Sequence, residues 1–371
     1  MQNIASLPLD SFTEVLARLP PGIDLDALAF ETKAIQRRRD IADGTTLLRM
    51  ALARGPGGLS LNQTAAWAAM TGLTSLSDPG VKYRLDQSVD FLKALTEQLV
   101  MTNAGTTRLH WPGRSLRAVD GSCIMQHASK GYDWRIHAGF DLGRGCFSHL
   151  ELTDKHGAEA LERGAPVPGA PVPGEVRIAD RNYASAAALL RLREQSNNAA
   201  DFIVRVRWKS FALSSSDGKP LELIEYLRNL PVQDGPHELL VQATAGRAQG
   251  SLPLRLIILR KTAEATEAAR LALRRRAPRK QKVLDPRSLV AAEFLILATS
   301  LPAERYPADE VLAAYRLRWQ IELAFKRLKS LIHIDKLPTR TPAAGRSWLY
   351  AHLVLALLCD DISQDFLESS P

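Results

Sequence analysis

Between residues 114 and 207 the chain reads as three strands, a helix, a strand, a helix and a strand, and that order constrains its fold most tightly. RSLRAVDGSCI, YDWRIHAGFDL and FSHLELTD have strand length and composition, and the short turn Gly143-Arg144-Gly145 joins the second to the third. A helix around residues 158–163 leads into APVPGAPVPG, a Pro/Gly repeat suited to a stiff surface linker. EVRIAD then reads as a strand, RNYASAAALLRLREQ as a helix and DFIVRVR as the fifth strand. Antiparallel strands followed by strand–helix–strand units predict an α/β core with a mixed sheet.

Two aspartates stand out in that pattern. Asp120 sits inside an apolar strand, between Val119 and Gly121, and Asp180 ends another after Ile178 and Ala179. A carboxylate in a buried strand is costly unless it is paired or binds a cation. Asp180 has a second explanation as a cap for the helix from Asn182. Asp120 has no such role.

A third acid lies in YRLRWQIELAFKRLK, residues 315–329, which follows Pro307 and the Asp309/Glu310 pair of a helix start. At helical pitch Tyr315, Arg318, Glu322, Lys326 and Lys329 share an arc of roughly 80°. Leu317, Ile321, Ala324, Leu328 and Leu331 form an apolar side. One reading is a solvated face with Arg318–Glu322 and Glu322–Lys326 pairs. The other is one acid of a metal site, ringed by cations that hold a polyanion. If the two strands are neighbours and this helix packs beside them, Asp120, Asp180 and Glu322 converge. Three hard oxygen donors suit Mg²⁺ or Mn²⁺ rather than zinc, and two such ions serve in-line phosphoryl transfer. No P-loop, Gly-rich dinucleotide motif, HExxH or G-x-S-x-G competes.

The flanks add a basic, largely helical frame. Residues 1–40 show helical spacing at Phe12, Val15, Leu16 and Leu19, and end in Lys33 and Arg37 to Arg39. LSLNQTAAWAAM, with Asn62 as a cap, breaks at Thr71-Gly72-Leu73 before a second helix capped by Ser77 and Asp78. That is the pattern of a helix-turn-helix or of a plain helical hairpin, with Lys82, Tyr83 and Arg84 placed to meet DNA in the first case. Strands at His237–Thr244, Leu254–Leu259 and Glu293–Thr299 frame the basic helical segment Lys261 to Lys282, and an apolar-faced helix runs from Trp348 to Phe366. The net charge of +8 favours an anionic partner. Three scattered cysteines make no disulfide framework or zinc pattern and point to a reducing cytosol. No apolar run is long enough to span a bilayer, and the N-terminus lacks the basic region of a secretory signal.

Tyr315, Arg318, Glu322 and Lys329 also resemble a known signature. Their spacing matches the Tyr-Arg-Glu-Lys motif of one insertion-sequence class of DDE transposases, the IS-four-like group. Asp120 in VDGS resembles that family's first acid and Asp180 in ADRNY its second. The resemblance implies a ribonuclease H-like core at 106–206 and 301–340, split by a mostly β insertion at 207–300. A helical DNA-binding region would occupy 1–105, with the helix-turn-helix near 60–90, and a C-terminal helix 341–371. It implies Asp120, Asp180 and Glu322 as catalytic metal ligands for two Mg²⁺ ions. Tyr315, Arg318, Lys326, Lys329 and Arg181 would contact DNA phosphates. Phe294 resembles the position whose aromatic ring stacks on a flipped base, with Trp208 as a second candidate; core packing is the competing role for Phe294. The partners implied are double-stranded DNA, as element ends and target, and a second copy of the chain. The activity implied is cut-and-paste transposition through a hairpin. A DNA-binding regulator that has lost catalysis, and a nuclease that cuts without joining, share enough of these features to stay open.

Overall fold

Five strands of the first half carry the predicted order, and a computed structural model shows how they are joined. It describes residues 13–102, 108–125, 129, 131, 133–154, 169–245, 250–279, 283–335, 337–339 and 341–359. The helix expected near 158–163 and the chain after 359 lie outside them. β1 (Ser115–Ile124), β2 (Trp134–Asp141) and β3 (Cys146–Asp154) form an antiparallel meander. In its second turn Asp141 accepts hydrogen bonds from the amides of Gly143 and Arg144, at 2.9 and 3.1 Å. Gly145 supplies the left-handed backbone, φ +70°, that closes it. β4 (Glu175–Ala179) runs parallel to β1, the helix Ala186–Gln195 crosses over, and β5 (Asp201–Arg205) runs parallel to β4.

Six helices precede the sheet: α1 (Thr13–Leu16), α2 (Leu25–Glu31), α3 (Gly44–Arg54), α4 (Leu61–Met70), α5 (Asp78–Gln87) and α6 (Val89–Thr102). α7 is Ala186–Gln195. Beyond β5 come β6 (Leu213–Ser214), β7 (Pro220–Leu221), α8 (Leu223–Arg228), β8 (His237–Thr244), β9 (Ser251–Arg260), α9 (Ala263–Arg279), α10 (Pro286–Ala291) and β10 (Phe294–Thr299). The chain closes with α11 (Ala308–Arg316), α12 (Trp319–Ser330) and α13 (Pro342–Leu358). Among the described residues the strands form one sheet in the order β3-β2-β1-β4-β5-β10-β9-β8-β6-β7. The 207–300 segment therefore extends the core sheet directly, through β10 antiparallel to β5. No helix among the described residues is long and apolar enough to cross a membrane.

Two local readings need correction. Asn62 does not cap α4; Ser60 does, with Gln63 answering in a capping box. The single helix read after Ser77 is two, because the chain turns at Ser88, which is fully buried and bonds Leu85 O at 2.7 Å and Ser347 Oγ at 3.2 Å.

Strand alternation sorts the core. Leu116, Val176, Ile178, Ile203, Ile257 and Leu297 face α11, while Val119, Ala179, Phe202, Val204 and Ile258 face α7. The N-terminal helices share a third cluster with β1–β3, α12 and α13, represented by Leu47, Phe91, Ile136, Phe325 and Leu353. They are packed on α12 and α13 rather than hung beside them.

Candidate active site

The first two acids meet because of register. β1 and β4 pair in parallel up to Val119 opposite Ala179, so Asp120 and Asp180 follow side by side at the carboxyl ends of neighbouring strands. Adjacent strands lie about 4.8 Å apart, which brings the two within one ligand's reach. By alternation both point to the face that carries α11 and α12. Each is also tied to its own chain. Asp120 accepts the Gly121 amide at 2.8 Å, and Asp180 accepts that of Arg181 at 2.5 Å while capping a short 3₁₀ turn over Arg181–Tyr183. The capping role and the edge position of Asp180 thus coexist.

The stretch from Tyr315 to Lys329 is not one continuous helix. α11 ends at Arg316 and α12 begins at Trp319, with i→i+3 bonds from Leu317 N to Ala314 O and from Arg318 N to Tyr315 O, both 3.1 Å. This tight turn rotates the two halves apart. Tyr315 stays in the core beneath α11, 9% exposed, whereas α12 lies over β1 and presents Glu322 with a side chain 54% exposed. Burial raises the Tyr315 hydroxyl's pKa above the usual tyrosine value, with Asp180 acting in the same direction and Arg318 and Arg205 opposing.

Arg318 is the hub of the arrangement. Its guanidinium reaches Glu322 at 2.5 Å and Asp120 at 3.9 Å, and stands 5.8 Å from the centre of the Tyr315 ring. Burial works against its charge, but Tyr315, Glu322 and Asp120 together hold it protonated above its ordinary value. Beside it is an open groove of about 490 Å³ lined by Asp120, Ser122, Glu322, Lys326 and Lys329. Asp335, which the spacing arguments did not single out, lines it as well. It follows α12 in a turn with no periodicity to mark it. Asp180 does not line this groove; it sits toward Tyr315 and Arg205.

Among the described residues no three of His, Cys, Asp and Glu converge closely enough to hold an ion. Between Asp120 and Glu322 the positive charge is supplied by Arg318. The donor chemistry nevertheless fits a hard cation: three carboxylates, with Asp120 and Asp180 fixed by the sheet.

The other expected residues fall on one side of Asp180. Arg181 follows it directly; burial lowers its pKa, Asp180 opposes, and Arg207, Arg205 and Arg276 add to the lowering. Phe294 does not reach the site. It is 3% exposed at the start of β10, in the α7-side core, with the Arg260 guanidinium 4.6 Å from its centroid. Trp208 is half-buried, between Arg287 at 4.5 Å and Lys209 at 5.6 Å from its ring, and donates its Nε1–H to Ser288.

The transposase DDE domain family matches residues 111–359, a span that holds Asp120, Asp180 and Glu322. The chain is 36% identical over 364 residues to the putative transposase InsL for insertion sequence element IS186A of Escherichia coli (strain K12), covering 98% of this chain and 96% of that protein. It is 36% identical over 365 residues to the transposase for insertion sequence element IS421 of Escherichia coli, with the same coverage of 98% and 96%. The transposase for insertion sequence element IS231F of Bacillus thuringiensis subsp. israelensis is 26% identical over 399 residues, 95% of this chain and 79% of that one. A match of this extent, on a sheet that sets two aspartates side by side, assigns the chain to the DDE transposase family, enzymes that cut and join DNA and depend on divalent metal ions.

Proposed function

We propose that the chain excises an insertion sequence and joins it to target DNA, with Asp120, Asp180 and Glu322 as the ligands of two Mg²⁺ ions that Mn²⁺ can replace. The observation that carries this reading is the parallel register that puts Asp120 beside Asp180, with Glu322 brought to Asp120 across Arg318. The strands β1–β5, with their antiparallel and then parallel pairing, would be a ribonuclease H-like core, and β6–β10 its insertion. α4 and α5 would meet the element ends, and Tyr83, 59% exposed in the middle of α5, is available for such contact.

Bound at the acids, the ions would polarise the scissile phosphate and favour the ionised attacking oxygen. The chain's own residues do the positioning. Lys326 and Lys329 face the groove from α12 and would grip the phosphates beside the cut. Arg318 would exchange its two carboxylates for a DNA phosphate, which releases Glu322 toward Asp120. Tyr315, anchored in the core, limits how far Arg318 can swing. Water attacks at the element end and frees a 3′-OH. That hydroxyl attacks the opposite strand to close a hairpin, which is reopened before strand transfer in the cytosol. No protein nucleophile is needed. Two ends must be held together, so the working form would be a dimer on DNA. If base stacking is part of the reaction, Trp208 is better exposed for it than Phe294.

The test is cleavage of the element's own terminal DNA with Mg²⁺, comparing wild type with Glu322→Gln. Free 3′-OH ends that disappear in the variant, followed by hairpin and joined products, support a transposase. Free ends without joined products indicate a nuclease, and end-specific binding without cleavage by wild type indicates a regulator.

A further inference from the structure

Asp120 and Asp180 occupy only part of the strand edge on which they lie. Ala179 pairs with Val204, so the next residue along β5, Arg205, stands beside Asp180. β9 is antiparallel to β10, and β10 to β5, so β9 ends at the same edge, and Lys261 follows it. Arg205 and Lys261 each lie two residues beyond Ile203 and Leu259, which face α11, so by alternation these cations point to the face that carries the acids. Arg207 follows Arg205, and its Nη2 donates to Asn182 Oδ1 at 2.9 Å, next to Arg181. Lys261 donates to the carbonyl of Ala292 at 2.6 Å. Along one edge the charge therefore changes from acid at β1 and β4 to base at β5 and β9.

We propose that Arg181, Arg205, Arg207 and Lys261 form a strip that binds the backbone phosphates of the DNA running on from the cut, on the side of Asp180 away from Glu322. The inference rests on Asp180 belonging to the cutting centre. Among the described residues none of these four cations makes a salt bridge with a carboxylate, whereas neighbouring arginines do: Arg260 and Arg270 both reach Glu293, and Arg287 reaches Asp285. Neutral acceptors hold two of them in place without cancelling their charge. Burial first, and then Arg205 and Arg181, depress the pKa of Lys261, so the cations stand close enough to repel one another. Asp180 offsets that repulsion only in part, as it does at Arg181, and a polyanion relieves the rest. From β4 to β9 there are three strand intervals, about 14 Å, and Lys261 lies beyond Ile257, the β9 residue level with Arg205, so the strip runs obliquely across several phosphates of one strand.

The experiment measures binding of the full-length chain to a short duplex in chelator, so that nothing is cut, across about 50 to 200 mM salt. The triple variant Arg205→Gln, Arg207→Gln, Lys261→Gln is compared with wild type and with Arg205→Lys, Arg207→Lys, Lys261→Arg, which keeps the charge. Each phosphate contact contributes roughly 0.9 to the slope of log K against log salt, so the neutral triple should lose about 2 to 3 of slope and bind roughly 10²-fold more weakly near 0.15 M. The charge-keeping triple should retain the slope. Wild-type slope in a neutral triple with unchanged thermal melting overturns the strip. If that triple does not fold, Arg207→Gln and Lys261→Gln decide singly, each expected to lose about 1 of slope, and an unchanged slope in both overturns the proposal. Binding in chelator does not involve Glu322 chemistry, so a failed cleavage test and a failed strip are separate results.

Discussion

The two ends of the same parallel strands treat charge in opposite ways. At the amino ends of β4 and β5, Glu175 and Asp201 are each 2% exposed and each meets two arginines. Glu175 takes Arg177 at 2.7 Å and Arg117 at 3.3 Å; Asp201 takes Arg114 at 2.8 Å and also Arg193. Ser300 adds a hydrogen bond to Asp201 at 2.7 Å. At the carboxyl ends Asp120 and Asp180 lie side by side, with Arg318 3.9 Å from Asp120, and among the described residues Arg205, Arg207 and Lys261 make no salt bridge, which leaves an excess of positive charge. Matched, buried charge makes scaffolding that nothing outside the chain needs to complete. Unmatched charge at an open edge is stable only because solvent or a ligand supplies the rest. In a sheet of this kind ligands bind at the carboxyl ends of parallel strands, so the asymmetry lies where that rule predicts.

Substitutions at the two ends should therefore fail in different ways. The largest effect is expected for Asp180→Asn: cleavage should fall by roughly 10³-fold or more, since a metal's charge stabilisation is worth several kcal/mol, while the urea midpoint hardly moves. A variant that loses stability in proportion to its activity would place Asp180 with the scaffold instead. At the other end Glu175→Ala should destabilise the fold by about 3 kcal/mol, because Arg117 and Arg177 are left buried without their acid. Urea denaturation measures this, and a loss under about 1 kcal/mol would erase the contrast between the ends.

A pH series sharpens the comparison with a group that belongs to neither end. His352 is 1% exposed in α13 with its Nδ1 2.8 Å from Trp348 O, and its pKa is pushed down to about 4 by burial, which outweighs the carbonyl's opposing pull. The folded value lies below that of the unfolded chain, so the unfolded state takes up the proton first as pH falls. Stability should thus drop between about pH 6.5 and 4, by about 2 kcal/mol at pH 5 from this residue alone. His352→Gln should flatten that part of the profile; an unchanged profile would mean that the acid sensitivity comes from the ion pairs. The smallest expected change is Ser60→Ala, which removes the α4 cap for about 1 kcal/mol and should leave DNA cleavage intact.

Local pattern carried much of this. β8 spans the predicted residues, and β1 to β5 and β10 lie within a residue or two of theirs, because alternation and turn chemistry are local signals. Once the strands are known, Asp120 and Asp180 need only parallel pairing to become neighbours. The break at Leu317–Arg318 left no mark, since no Gly or Pro stands there. It arises because Tyr315 and Ile321 belong to different core clusters and the backbone tightens between them. The turn at Ser88 is likewise set by a partner on α13, far away in the chain. The continuity of β10 with β5 and the placing of Arg205 beside Asp180 are long-range pairings that no window of sequence displays. Phe294, a stacking candidate by resemblance with core packing as the competing role, is a core residue because β10 lies inside the sheet.

The central claim is that Asp120 holds a divalent ion during DNA cleavage, and Asp120→Cys tests it most directly. A thiolate is a poor partner for Mg²⁺ and a better one for Mn²⁺. Terminal DNA should be cut by wild type with either ion, and by the variant only with Mn²⁺. Cleavage by the variant that is as fast with Mg²⁺ as in wild type would contradict the assignment.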